Sequence, residues 1–82
     1  MSVSSKIKAL LKLKGRGNEE LAKHLNISKQ ALSNKFYRDS FSTQDLIKIS
    51  SFLGYALAFV IDESQMIILD ESDLKNNEEE NR

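Results

Sequence analysis

Apolar residues return at helical intervals along the first 54 positions, and beyond Gly54 the interval shortens to that of a strand. Val3, Ile7, Leu10, Leu11 and Lys14 follow helical spacing, which predicts a first helix from about Ser4 to Lys14, stopped by Lys14-Gly15-Arg16-Gly17. Asn18 reads as the N-cap of a second helix that carries Leu21, Ala22 and Leu25 inward. Only Asn26 and Ile27 separate it from a third, whose N-cap is Ser28 and whose entry is stapled by Ile27 against Leu32. In that third helix Leu32 and Phe36, four apart, face inward, while Lys29, Gln30, Ser33 and Asn34 face outward. A fourth helix opens with a capping box of Ser42 and Asp45, with Phe41 able to staple to Leu46. Leu46, Ile49, Ser50 and Leu53 line one of its faces, and Gly54 ends it.

After Gly54 the runs YALAFVID and MIILD are rich in β-branched and aromatic residues and too short for helices. They predict a hairpin with strands at roughly Ala56–Ile61 and Met66–Leu69, joined through Glu63-Ser64-Gln65 without the Asn-Gly or Asp-Gly signature of a two-residue turn. Leu57, Phe59 and Ile61 alternate with Ala56, Ala58 and Val60, so neither face is polar. A two-stranded ribbon cannot bury both faces on four small helices, so Leu57, Phe59, Val60 and Ile68 are expected to meet a second copy of the chain. The last residues, ESDLKNNEEENR, are polar and acidic without apolar periodicity and are expected to be disordered. The fold class predicted is mainly α: four short helices, then a C-terminal β-hairpin. Residues 1–54 form the helical domain, 55–70 the dimerisation hairpin and 71–82 an acidic tail.

Charge sharpens this picture. The net charge is zero, yet residues 1–38 carry nine Lys/Arg against Glu19 and Glu20, while residues 39–82 carry three against ten acids. A basic half joined to an acidic half points to a polyanionic partner for the first, the alternative being an unevenly charged solvated surface. Eighty-two residues make one small domain near the lower limit for a single core, which favours self-association. Cysteine is absent, so there is no disulfide framework or thiolate metal site, and a cytoplasmic location fits. No apolar run is long enough to span a bilayer, and the N-terminal lysines interrupt what a signal peptide would keep apolar. His24, the only histidine, has no partner set for a metal or nucleophilic site. Asp62-Glu63 and Asp70-Glu71 lie at strand ends, where solvated turns explain them. No enzyme activity, metal or cofactor is expected.

Two helices joined by so tight a turn, the second short and polar outside, describe a helix-turn-helix. The stretch NEELAKHLNISKQALSNKF closely resembles the helix-turn-helix of the lambda-repressor-like (Cro/C1, XRE) family of DNA-binding proteins, and the resemblance extends over roughly residues 5–54. Ala22 stands where that family places a small residue at the helix crossing, and Leu21, Leu25, Ile27 and Leu32 stand at its buried positions. The chain departs from the family in four places. Asn26 replaces the turn glycine, Gly17-Asn18 replaces Thr-Gln or Ser-Gln, and Tyr37-Arg38-Asp39-Ser40 lacks the glycine often found after the third helix. Lys35 stands where the family more often buries an apolar residue, a role that Phe36 fills instead.

The resemblance implies a sequence-specific double-stranded DNA-binding regulator, a repressor acting as a homodimer on an inverted repeat. An α-helix fits the major groove, where each base pair shows its own donor and acceptor pattern. Lys29 can donate to guanine, Gln30 and Asn34 can bond adenine through two atoms, and Ser33 permits close approach. Family geometry sets Asn18, Tyr37 and Arg38 against phosphates, with Lys35 nearby. The alternatives are an ordinary solvated helix face and an antitoxin-type module that binds a toxin-like partner as well as its own promoter.

Overall fold

The structure, a computed structural model, describes residues 2–74. Among these residues five helices and two strands follow in the order α1 (Val3–Lys14), α2 (Asn18–Leu25), α3 (Lys29–Arg38), α4 (Thr43–Leu53), β1 (Leu57–Asp62), β2 (Gln65–Leu69) and a single turn, α5, at 71–74. The fold is mainly helical with a C-terminal hairpin, as the periodicity predicts, but with five helices rather than four.

Local chemistry sets the boundaries. α1 begins ahead of its predicted start because the Ser2 hydroxyl accepts from the Ser5 N–H at 3.0 Å, and Ser5 returns a bond to the Ser2 backbone. Asn18 is not the cap of α2. Gly17 takes that position, and the Glu20 carboxylate reaches back to accept from its N–H at 3.0 Å, leaving Asn18 as the first helical residue. Ser28 caps α3 by accepting from the Ala31 N–H. Ser42 and Asp45 form the predicted reciprocal box at the start of α4, a motif worth about 1 kcal/mol. Asn26 and Asp39 close α2 and α3 in the left-handed conformation at φ 61° and 56°, a geometry these short polar side chains tolerate better than most.

The core lies among the first four helices. Ile7 and Leu11 of α1, Leu21, Ala22 and Leu25 of α2, Leu32 and Phe36 of α3, and Ile49 and Leu53 of α4 form one buried cluster, flanked by Leu10, Ile27, Phe41, Leu46 and Phe52. Ile47 is also buried, although the stripe of Leu46, Ile49, Ser50 and Leu53 turns it away from that cluster. It lines a shallow cavity with Tyr55, Ala56, Ile68 and Leu69, so the hairpin provides its cover.

The strands pair antiparallel, Leu57 opposite Leu69, Phe59 opposite Ile67 and Val60 opposite Met66, with a bulge between Val60 and Asp62. Asp62 makes the turn by accepting from both the N–H and the hydroxyl of Ser64, an Asx turn. Leu57, Ala58 and Leu69 are half-buried at the root. Beyond them Phe59, Val60, Ile61, Met66, Ile67 and Ile68 are 51–70% exposed. The acidic segment was expected to be disordered from residue 71. Instead the Asp70 carboxylate accepts from the Ser72 N–H at 3.0 Å and hydroxyl at 2.6 Å, and Asp73 accepts from the Asp70 N–H, which starts α5. The rest of that expectation, 75–82, lies outside the described residues.

Candidate nucleic-acid interface

The α2–α3 corner is set by a turn that needs two conditions, a left-handed residue and a small one. Asn26 supplies the first, and the Ile27 N–H reaches back to the Ala22 carbonyl at 3.0 Å. Ala22 supplies the second: it is 2% exposed within the core cluster, where a longer side chain would overpack the corner. α2 then packs on both α3 and α4.

On α3 the inward side is narrow. Leu32 and Phe36 are buried, and the Phe36 ring packs edge-on against Phe41 with centroids 5.2 Å apart and the Lys8 ammonium 5.2 Å from its own centroid. That anchorage leaves Lys29, Gln30, Ser33 and Asn34 exposed on the opposite side. Their side chains are partly ordered by their neighbours. The Gln30 amide donates to the Asn34 side-chain oxygen at 3.3 Å, and the Lys29 ammonium lies 3.7 Å from the Glu19 carboxylate. Tyr37 is 90% exposed at the far end of the helix, and Arg38 is exposed beside it. Among the described residues Arg38 pairs with no carboxylate, and Asn18 stands exposed in the first turn of α2.

Lys35 is placed differently. It is half-buried and donates to the Asp45 carboxylate at 2.9 Å, tying α3 to the start of α4. Partial burial pushes the Asp45 carboxyl up, but the bonds from Lys35 and the Ser42 N–H outweigh it and hold the group below the ordinary aspartate value. Lys35 therefore carries little free charge toward a phosphate.

The C-terminal end of α3 is held by a second, unexpected contact. The Asp39 carboxylate accepts from the Ser4 N–H at 2.7 Å, and the buried Ser4 hydroxyl donates to the Phe36 carbonyl at 2.8 Å. Those bonds from Ser4 keep the Asp39 carboxyl below its ordinary value. The acid side thus joins the N-terminus of α1 to the C-terminus of α3. Both Asp39 and Asp45 have lowered folded values, so their contribution is fully present above the unfolded aspartate value of about 4 and fades as pH falls through the folded values. The melting temperature is expected to stay level near neutral pH and to drop below about pH 4. Asp39→Asn, which tolerates the left-handed backbone, should flatten that acid drop; an unchanged acid profile in circular-dichroism melts would show that the clamp is not linked to protonation.

Among the described residues the structure brings the outward residues of α3 together on one exposed face, with Asn18, Tyr37 and Arg38 at its margins. Glu19 and Asp39 were assigned no part in the site from the sequence. Glu19 was legible only as an acid in the first turn of a helix. Asp39 lies 35 positions from Ser4, beyond the reach of local patterning.

No helix among the described residues is long and apolar enough to cross a membrane, and no group of metal-ligating side chains gathers among them. No curated protein and no solved structure matches the chain. Residues 3–62 match the family model for the bacteriophage CI repressor helix-turn-helix domain, a span that continues past Gly54 through β1. With most of its length covered by that match, the chain belongs to the bacteriophage CI repressor helix-turn-helix family and is a DNA-binding regulatory domain, not an enzyme.

Proposed function

We propose that the chain is a cytoplasmic, sequence-specific repressor that binds an inverted-repeat operator as a homodimer. The observation that carries this reading is the outer face of α3: Lys29, Gln30, Ser33 and Asn34 hold exposed hydrogen-bonding side chains on a helix seated by Leu32 and Phe36. Such a face adds little to stability and suits the edges of base pairs. Lys29 donates to guanine, Gln30 and Asn34 address adenine, and Ser33 lets the helix approach. Asn18, Tyr37 and Arg38 contact phosphates on either side, and the N-terminal amides of α2 add a further phosphate contact. Lys35, paired with Asp45, contributes mainly by orienting α3.

The hairpin supports the dimer. Six large apolar side chains stand exposed beyond the hairpin root, distributed over both faces of the ribbon, more than a lone monomer's scattered surface residues, and a second copy would cover part of them. Phe59, Val60 and Ile68 form that contact, with Leu57 at its root. Two copies then set their α3 helices about 34 Å apart on one side of the duplex. Occupancy of a promoter blocks transcription. A second reading, an antitoxin-type module holding a toxin-like protein on the hairpin, draws on the same exposure of both hairpin faces. Co-purification of a stoichiometric second protein when the neighbouring genes are expressed together would favour it.

Gln30→Ala tests the base contacts. Loss of one two-pronged bond should cost about 1–3 kcal/mol at one base pair per half-site and relax preference there alone. An identical selected motif for variant and parent would place Gln30 outside the groove.

A further inference from the structure

The ion pair between Glu19 and Lys29 stands in an odd position. It joins the first turn of α2 to the first residue of α3, with Nζ and Oε2 3.7 Å apart and both side chains largely exposed. Solvated pairs of this kind stabilise a fold very little. The carboxylate also lies where α2 would approach phosphate, so on charge alone it opposes binding. As an acid in the first turn of α2 it favours the helix modestly, but that does not call for pairing with the first residue of α3, and the pairing invites a role in selection.

Resting on the base-reading role of α3 proposed above, we propose that Glu19 and Lys29 act as one unit that reads a single G·C pair in each half-site. In the major groove guanine offers two acceptors side by side, N7 and O6, and the cytosine N4 amino donor follows next to O6. The ammonium has three donors and no acceptor, and the carboxylate is acceptor-only. Lys29 therefore bridges N7 and O6 while keeping a proton for Glu19, and Glu19 accepts from the cytosine amino group. The run of acceptor, acceptor and donor on the DNA meets donor, donor and acceptor on the protein. A T·A pair retains O4 and the adenine amino group but puts its methyl where Lys29 needs N7. A C·G pair reverses the order and sets the amino donor against the ammonium. Because the unit is uncharged as a whole, it adds discrimination while adding little salt-dependent affinity.

Selection of sites from random duplex DNA by the full chain, its Glu19→Ala variant, which has no side-chain acceptor, and its Lys29→Met variant tests the unit. Both variants should lose preference at the same G·C pair and keep it elsewhere. Glu19→Ala should also bind random duplex several-fold more tightly, because a negative charge near phosphate is gone. In direct titrations, exchanging that G·C for C·G should cost the parent about tenfold and cost Glu19→Ala less than about threefold. Two results overturn the unit alone: a Glu19→Ala motif identical to the parent's, or losses at two different base pairs. A parent that selects no motif overturns the unit together with the base-reading role it rests on. Unchanged melting of both variants, expected for so exposed a pair, separates these results from unfolding.

Discussion

Leu32→Ala is expected to leave a large fraction of the chain unfolded at physiological temperature and to abolish DNA binding with it. Leu32 is 1% exposed and, with Leu21, is one of the two largest side chains that are fully enclosed. Truncating such a leucine costs about 2–5 kcal/mol, part from lost burial and part from the cavity left behind. A domain of this size has in total about 4–12 kcal/mol of stability. The substitution therefore removes a third or more of it in most cases. Leu32 also lies directly before Ser33, so any shift of α3 to fill the cavity displaces the outer face at the same time. Urea unfolding monitored by circular dichroism should show the midpoint falling with little change in slope. Ser33→Ala is the control: at an exposed position it should leave the midpoint within about 0.5 kcal/mol of the parent. A Leu32→Ala midpoint equal to the parent's would mean that the helices pack in another way.

Charged substitutions at the hairpin have the second large effect, on assembly rather than on folding. Phe59 and Val60 are 66% and 70% exposed in the single chain, so Phe59→Lys with Val60→Glu should barely move the monomer's melting point. Sedimentation should nevertheless shift from dimer to monomer, because each charge would have to be stripped of water in the contact. Operator affinity should then fall by about a hundredfold or more. A linked second half-site adds that much through effective concentration, without any new contact. A dimer that survives both charges would move the interface elsewhere on the chain.

What could be read from the sequence follows from how local each signal is. The four helices, the Asn26 turn and the seating of α3 rest on caps, staples and spacings within one or two turns, and each of these is visible in order along the chain. The Gly17 cap was missed because a glycine has no side chain to announce it, and the carboxylate that serves it sits three residues later on Glu20. The burial of Ile47 is not legible from helical spacing, which singles out the Leu46–Ile49–Leu53 stripe; Ile47 is covered by the hairpin, a tertiary effect. α5 was missed because its start depends on the Asp70 carboxylate bonding to Ser72, within a stretch whose composition reads as disordered. At the interface the exposure of Lys29, Gln30, Ser33 and Asn34 was legible from the positions of Leu32 and Phe36. The partners of the charges were not. Lys35 finds Asp45 ten residues away and Lys29 finds Glu19 on another helix, and both distances are set by how helices pack.

The most direct measurement is enrichment of binding sites from random duplex DNA by the parent chain, at moderate salt, followed by the same enrichment with Gln30 and Ser33 both replaced by alanine. The parent should enrich a two-fold symmetric motif with half-sites about one duplex turn apart, and the double variant should lose contrast at adjacent positions within each half. No enriched motif from a folded parent, or one motif shared by both proteins, would show that the outward side of α3 does not read bases.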